Sequence, residues 1–215
     1  MIVNKKFVGS TTIYFIVIVS IVISSIDNNI FFNHKTNAQK SNVNDMHASS
    51  KLIEFIITYE GNAGTKSLTG IKADVYGLYN DPEGNCTVGI GHLVHLGKCT
   101  KKDIAEHIRK FPLGETKADA LKVLQEDLIK VENDVKDNVK VPLSQNQFDA
   151  LVDFVFNEGV DKLESSKLLK DVNKGNLDPS VIKDDFLQFT RHGGLTERRS
   201  DEANMFSFND YTVSI

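Results

Sequence analysis

The chain has 215 residues, 40% of them hydrophobic and 25% charged, with a formal net charge of −4; this is ordinary globular composition, with room for one domain of usual size and an appendage. A net negative chain lacks the excess of Lys and Arg with which nucleic-acid binders replace phosphate counterions, so a dedicated nucleic-acid role is excluded. The charge is uneven: the first 46 residues carry four lysines against two aspartates, leaving 21 basic and 27 acidic residues beyond them, so an anionic substrate needs a local basic patch.

Lys5 and Lys6 precede an apolar run, Phe7 to Ile26, in which Ile13 to Val19 is unbroken. A basic start followed by such a run is the pattern of an export signal. It reaches the ~20 residues of a membrane span only when its serines and threonines are counted. A cleaved signal and a retained anchor both stand, and Thr36-Asn37-Ala38 supplies small residues for cleavage, well beyond the apolar run. Asp27 to Asp45 is polar and Asn-rich, with too little apolar surface to fold alone, and reads as a linker. The expected organisation is an export signal or anchor plus linker over 1–46 and one domain over 47–215, secreted or membrane-tethered outside the cytoplasm. A membrane is expected to be touched only through the N-terminal segment, and the domain is expected to be a monomer.

Cys86 and Cys99 are the two cysteines, 13 positions apart. In an oxidising compartment they are expected to close one loop as a disulfide, worth about 3 kcal/mol in the chain-entropy account. Two free thiols are the alternative.

From residue 47 the elements are taken in order. Ser50 can cap a helix with Leu52, Phe55, Ile56 and Tyr59 at helical spacing, and Gly61 is a natural residue past its end. Glu60 then falls in the last turn, where the negative end of the helix dipole disfavours ionisation. Between Gly61 and Gly91 there are seven glycines interleaved with short β-prone runs, which predicts a small antiparallel hairpin sheet turning at Asp81-Pro82-Glu83-Gly84. Thr100 with Asp103 predicts a capped helix carrying Ile104, Ile108 and Phe111 and ended by Pro112. Thr116 opens the most regular stretch, with Leu121, Leu124, Leu128, Val131 and Val135 at spacings of three and four; it is too short for a coiled coil and predicts one long amphipathic helix joining two lobes. Ser144 with Gln147 caps a helix that buries Phe148, Leu151, Val152, Val155 and Phe156 and stops at Gly159. Shorter helices follow from Ser165 or Ser166 to Gly175, from Asp178-Pro179 to about Thr190, and from Thr196 to Phe206. Arg198 and Glu202, four apart, read as a structural pair. The fold class is α+β: mainly helical, with one small sheet.

Two carboxylates and a threonine are what hydrolysis of a glycosidic bond needs. One acid, held protonated, serves the leaving oxygen; one carboxylate directs water or stabilises positive charge. Glu60 suits the first role, Asp81 in its polar turn the second, and Thr87 can orient the water. Such chemistry needs no cofactor and no metal. Spacing alone is weak support, because most turn aspartates simply hydrogen-bond their own backbone.

Tyr59-Glu60-Gly61, followed by Tyr79-x-Asp81-x-x-Gly84-x-x-Thr87-x-Gly89-x-Gly91-His92, resembles the signature of the phage-type lysozymes (endolysins), the muramidases of glycoside hydrolase family 24. Leu143 to Gly159, Ser166 to Gly175 and Gly194 to Phe206 are similar to that family's later helices, so the resemblance spans about residues 50–206 in order. It implies a lysozyme-like fold of two lobes joined by a long helix, and hydrolysis of the β-1,4 bond between N-acetylmuramic acid and N-acetylglucosamine in peptidoglycan. It makes Glu60 the general acid, Asp81 the residue that positions or activates water, and Thr87 its partner. Leu93, Phe156 and Ser166 match positions lining the sugar-binding cleft, and His92 matches a structural residue paired with a carboxylate. In some membrane-released members a thiol such as Cys86 is regulatory, beside the simpler pairing with Cys99. Asn85-Cys86-Thr87 also fits a glycosylation sequon, but a glycan there would crowd the cleft.

One departure stands out. Glu60 and Asp81 are 21 positions apart, more than the family's spacing, so Asn62 to Val75 must loop out. An inserted loop that reshapes the cleft would turn the chain toward another N-acetylhexosamine polymer such as chitin, or leave a glycan-binding protein without turnover. A lytic transglycosylase is disfavoured by the presence of both Asp81 and Thr87.

Overall fold

The computed structural model describes residues 39–64, 75–190 and 194–214, with no side-chain description for 61–64. The proposed signal and the first part of the linker lie outside the described residues, as does most of the Asn62 to Val75 insertion. The packed unit runs from Lys40 to Ile215. It therefore reaches back beyond residue 47: Ser41 exchanges backbone hydrogen bonds with Leu143 at 2.8 and 3.2 Å, and Val43 and Met46 are buried. The end of the stretch read as linker is part of the fold, because these two side chains remove apolar surface from water.

Helix α1 spans Ser50–Gly64. Its cap is Ser49, not Ser50: the Ser49 hydroxyl accepts from the Leu52 amide at 3.3 Å and donates to Asp149 at 2.6 Å. Leu52, Phe55 and Ile56 form its buried face. The helix does not stop at Gly61, so Glu60 sits a turn inside its end and the dipole argument made for it lapses. Glycine costs only about 1 kcal/mol in a helix interior, and long-range partners of Tyr59 and Glu60 hold this turn.

Strands β1 (Leu78–Asn80), β2 (Cys86–Val88) and β3 (His92–His95) pair antiparallel in sequence order, with Tyr79 opposite Thr87 and Thr87 opposite Leu93. The β1–β2 turn is the expected one, and Cys86 and Cys99 form a disulfide. Helix α2 (Lys101–Lys110) carries the Thr100–Asp103 capping box, but it buries His107 and leaves Ile108 exposed. Helix α3 (Lys117–Asn138) opens with a second box, Thr116 with Asp119, and buries Ala120, Leu124, Leu128 and Val135. It also buries Glu132, whose carboxylate accepts from the Ala48 amide at 2.7 Å and faces His47 at 2.9 Å.

Helix α4 (Gln145–Glu158) lies at the centre, packed against α3, α1 and the last helix. Gly159, at φ 85°, ends it. A short helix α5 (Val160–Ser165), too brief to show periodicity, precedes α6 (Lys167–Lys174), which ends on left-handed Gly175. Helix α7 (Pro179–Phe186) and α8 (Thr196–Phe208) complete the helical part. The segment after α8 returns to α1 and α4: Lys51 of α1 lies over the Tyr211 ring, 5.2 Å from its centroid, and the Tyr211 hydroxyl donates to Asp149 of α4 at 2.6 Å. The arrangement is the expected α+β one, a small sheet and a helical body linked by α3.

Candidate active site

Asp81 occupies a turn built around its own carboxylate. Its Oδ1 accepts the amides of Glu83 at 2.9 Å and Asn85 at 2.8 Å, while Asp81 N–H donates to the Asn85 carbonyl at 3.0 Å. This ties up one oxygen and aims the other, Oδ2, toward the Asn85 amide nitrogen at 3.3 Å and the Thr87 hydroxyl at 3.5 Å. These last contacts are long and weak, so Oδ2 keeps accepting capacity for water. Thr87 is buried on β2, and Leu93, half exposed on β3, stands beside it across the ladder.

Glu60 meets a partner from far along the chain. Arg198 on α8 donates through Nη1 to Glu60 Oε1 at 2.5 Å, and through Nε and Nη2 to both oxygens of Asp153 on α4 at 3.0 and 2.9 Å. The guanidinium is 4% exposed and lies 5.0 Å from the Tyr59 ring centroid. Burial works against its charge, but the surrounding carboxylates more than offset this and push its pKa upward. Tyr59 is fixed in turn by a 2.6 Å hydrogen bond to Asp201, which also accepts the Ser214 amide at 2.6 Å. Glu202, four residues from Arg198, is only its third carboxylate, with Oε1 at 3.8 Å from Nε; its nearer partner is Arg199 at 2.5 Å.

The sheet and the helix meet at the β2–β3 connection. A Cβ added at Gly91 would lie 3.3 Å from the Phe156 ring and 3.5 Å from the Glu60 carboxyl carbon, so this glycine, at φ 75°, is the close approach between hairpin and α1. Tyr79 on β1 links the same groups: burial first, then the charges of Glu60 and Asp81, push its hydroxyl's pKa upward, so it stays a neutral phenol. Glu60, Asp81, Thr87, Leu93 and Phe156 therefore belong to one region. Ser166 is buried, and its hydroxyl caps α6, donating to Leu163 at 2.6 Å and accepting from Leu169 at 2.9 Å.

Sequence reasoning paired Arg198 only with Glu202 and passed over Asp153. A signal was present: an aspartate inside the apolar run Leu151 to Phe156 must be buried, and a buried carboxylate needs a cation.

His92 is the structural residue expected. Its Nδ1 meets Asp127 on α3 at 2.8 Å, tying β3 to the long helix. The hydrogen bond to Asp127 raises its pKa, opposed by burial. A raised folded-state value means that the pair stabilises fully below the unfolded histidine value of about 6.5 and less as pH climbs through the folded value. In His92→Asn the thermal-midpoint deficit relative to wild type is expected to be largest near about pH 6 and to shrink toward about pH 9. A deficit that does not vary with pH would remove this account. Among the described residues, Cys86, His95 and Asp103 also cluster, but the Cys86 sulfur is committed to Cys99 and is no metal ligand.

The sequence profile of the phage lysozyme family matches residues 66–202. The endolysin of Bacillus phage B103 is 30% identical over 169 residues, covering 75% of this chain and 54% of the relative, so the chain spans about half of that relative's length. The endolysin of Acyrthosiphon pisum secondary endosymbiont phage 1 is 32% identical over 170 residues, covering 75% of this chain and 98% of the relative. Among solved structures, a mutant of P22 lysozyme aligns with a TM-score of 0.53 at 27% identity, over 75% of this chain and 98% of that one.

Proposed function

This chain belongs to the phage lysozyme family, and on that premise we propose that it hydrolyses the β-1,4 bond between N-acetylmuramic acid and N-acetylglucosamine in peptidoglycan. The carrying observation is the close approach of Gly91 to Glu60 and Phe156, which sets the Asp81–Thr87 hairpin against the proton donor despite the insertion. Glu60, protonated, gives its proton to the leaving oxygen. Asp81 takes a proton from the water that attacks the anomeric carbon, with Oδ1 pinned by two amides and Oδ2 facing the Thr87 hydroxyl. Leu93 and Phe156 offer apolar surface for the sugar rings beside these groups. Ser166 acts through the fold, since its hydroxyl is already used on both sides.

Work outside the cytoplasm is part of the proposal. It is supported by Lys5, Lys6 and the following apolar run, and by a disulfide that an oxidising compartment would preserve. No helix among the described residues is long and apolar enough to cross a membrane.

Purified peptidoglycan is the test substrate. New reducing ends at N-acetylmuramic acid are expected, with no anhydro sugar. Anhydro ends would make the chain a transglycosylase; saturable binding without new ends would make it a glycan-binding protein; turnover of chitin oligomers alone would move the substrate.

A further inference from the structure

We infer that Asp153 is a positioning residue for this reaction: by taking two hydrogen bonds from Arg198 and balancing its charge, it leaves the third arm of the guanidinium to orient Glu60 as a general acid. The inference rests on the reading of Glu60 as proton donor.

A general acid must hold its proton until the leaving oxygen takes it. A bare guanidinium in contact opposes this, because an opposite charge within ~4–6 Å favours the carboxylate by about 1 to 3 pKa units. The site nevertheless places Arg198 on Glu60, with both groups largely withdrawn from water. What reconciles the two is behind the arginine. Asp153 is fully buried, faces Arg198 with both oxygens at 3.0 and 2.9 Å, and has no exposed surface through which water could screen it. Burial works against its ionisation, yet the charge and hydrogen bonds of Arg198 outweigh burial and hold it below the usual carboxylate range. Arg198 and Asp153 thus form a closed pair of zero net charge that presents one N–H to Glu60.

The other charges nearby fit this division. Burial pushes the Glu202 carboxyl well above its usual range, and the cation it faces most closely is Arg199, not Arg198. Arg199 is turned to Asn157 at 3.0 Å, to Glu158 at 3.5 Å and to Glu202 at 2.5 Å. Around Glu60 itself stand Arg198 from α8, the neutral Tyr79 phenol from β1, and Phe156 from α4; Asp81 acts on the same phenol from the turn.

The test is kcat/KM against pH, read as reducing ends from peptidoglycan, for wild type, E60Q, D153N and D153N/R198Q. In D153N the guanidinium loses its counter-charge, and the alkaline limb of the profile is expected to move down by about one pH unit. A limb that stays in place overturns the inference. The double variant strands no buried charge, so it reports even where D153N does not fold. Removing a pair of zero net charge should leave its limb within about half a pH unit of wild type; an upward move of more than about one unit would show that Arg198 acts on Glu60 uncompensated, and overturns the inference as well. An active E60Q removes the reading underneath, whereas an inactive E60Q with an unmoved D153N limb removes this inference alone.

Discussion

Replacing Glu60 with Gln is expected to lower the release of reducing ends by roughly 10²- to 10⁴-fold, the range that a positioned general acid supplies. The amide has the size of the carboxyl and its oxygen can still accept from Arg198 Nη1, so the packing against Gly91 and Phe156 persists. What it lacks is a proton to give. Stability should change little by comparison: Arg198 keeps both hydrogen bonds to Asp153, and a weakened bond from Arg198 to the new amide costs no more than about 3 kcal/mol on the scale of hydrogen bonds to charged groups. Turnover and thermal midpoint measured on the same preparation separate the two. Wild-type turnover in the variant would take Glu60 out of the mechanism; a collapse of the midpoint would make the loss of activity a folding defect.

The second large effect belongs to Cys86–Cys99. Opening a loop of this length gives the unfolded chain about 3 kcal/mol of entropy, which for a domain of this size lowers the thermal midpoint by roughly 6 to 12 °C. The loss should fall on the site in particular. Cys86 stands between Asn85, which donates to Asp81, and Thr87, while the Cys99 amide donates to Asn80 at 2.8 Å. Reduction, or the double substitution C86S/C99S, is therefore expected to lower turnover at temperatures where the domain is still folded. A midpoint insensitive to reductant would mean that the bond constrains nothing the fold does not already hold.

What could be read from the sequence was local. The caps at Thr100, Thr116, Ser144, Ser166 and Asp178 and the stops at Gly159 and Gly175 need only neighbours a few residues away, and each appears in the structure. The turn at Asp81 and the His92–carboxylate pair were legible for a related reason, since the spacing of glycines and polar residues there resembles a known signature. The misses are long-range. Helix α1 runs past Gly61 because Asp201 and Arg198, more than a hundred residues later, hold Tyr59 and Glu60. Glu132 occupies a buried helical position that periodicity assigns to an apolar residue, because the Ala48 amide and His47 close on it from across the fold. Propensity cannot see such partners, and tertiary contact decides in their favour.

The bond between Glu60 and Arg198 joins residues 138 positions apart, and that between Tyr59 and Asp201 joins residues 142 apart. A chain made from its N-terminus has Glu60 early and Arg198 late, and contacts of such span form slowly. On the proposed reading of Glu60, turnover is expected only once α8 has packed onto α1, so assembly itself sets a delay between synthesis and activity.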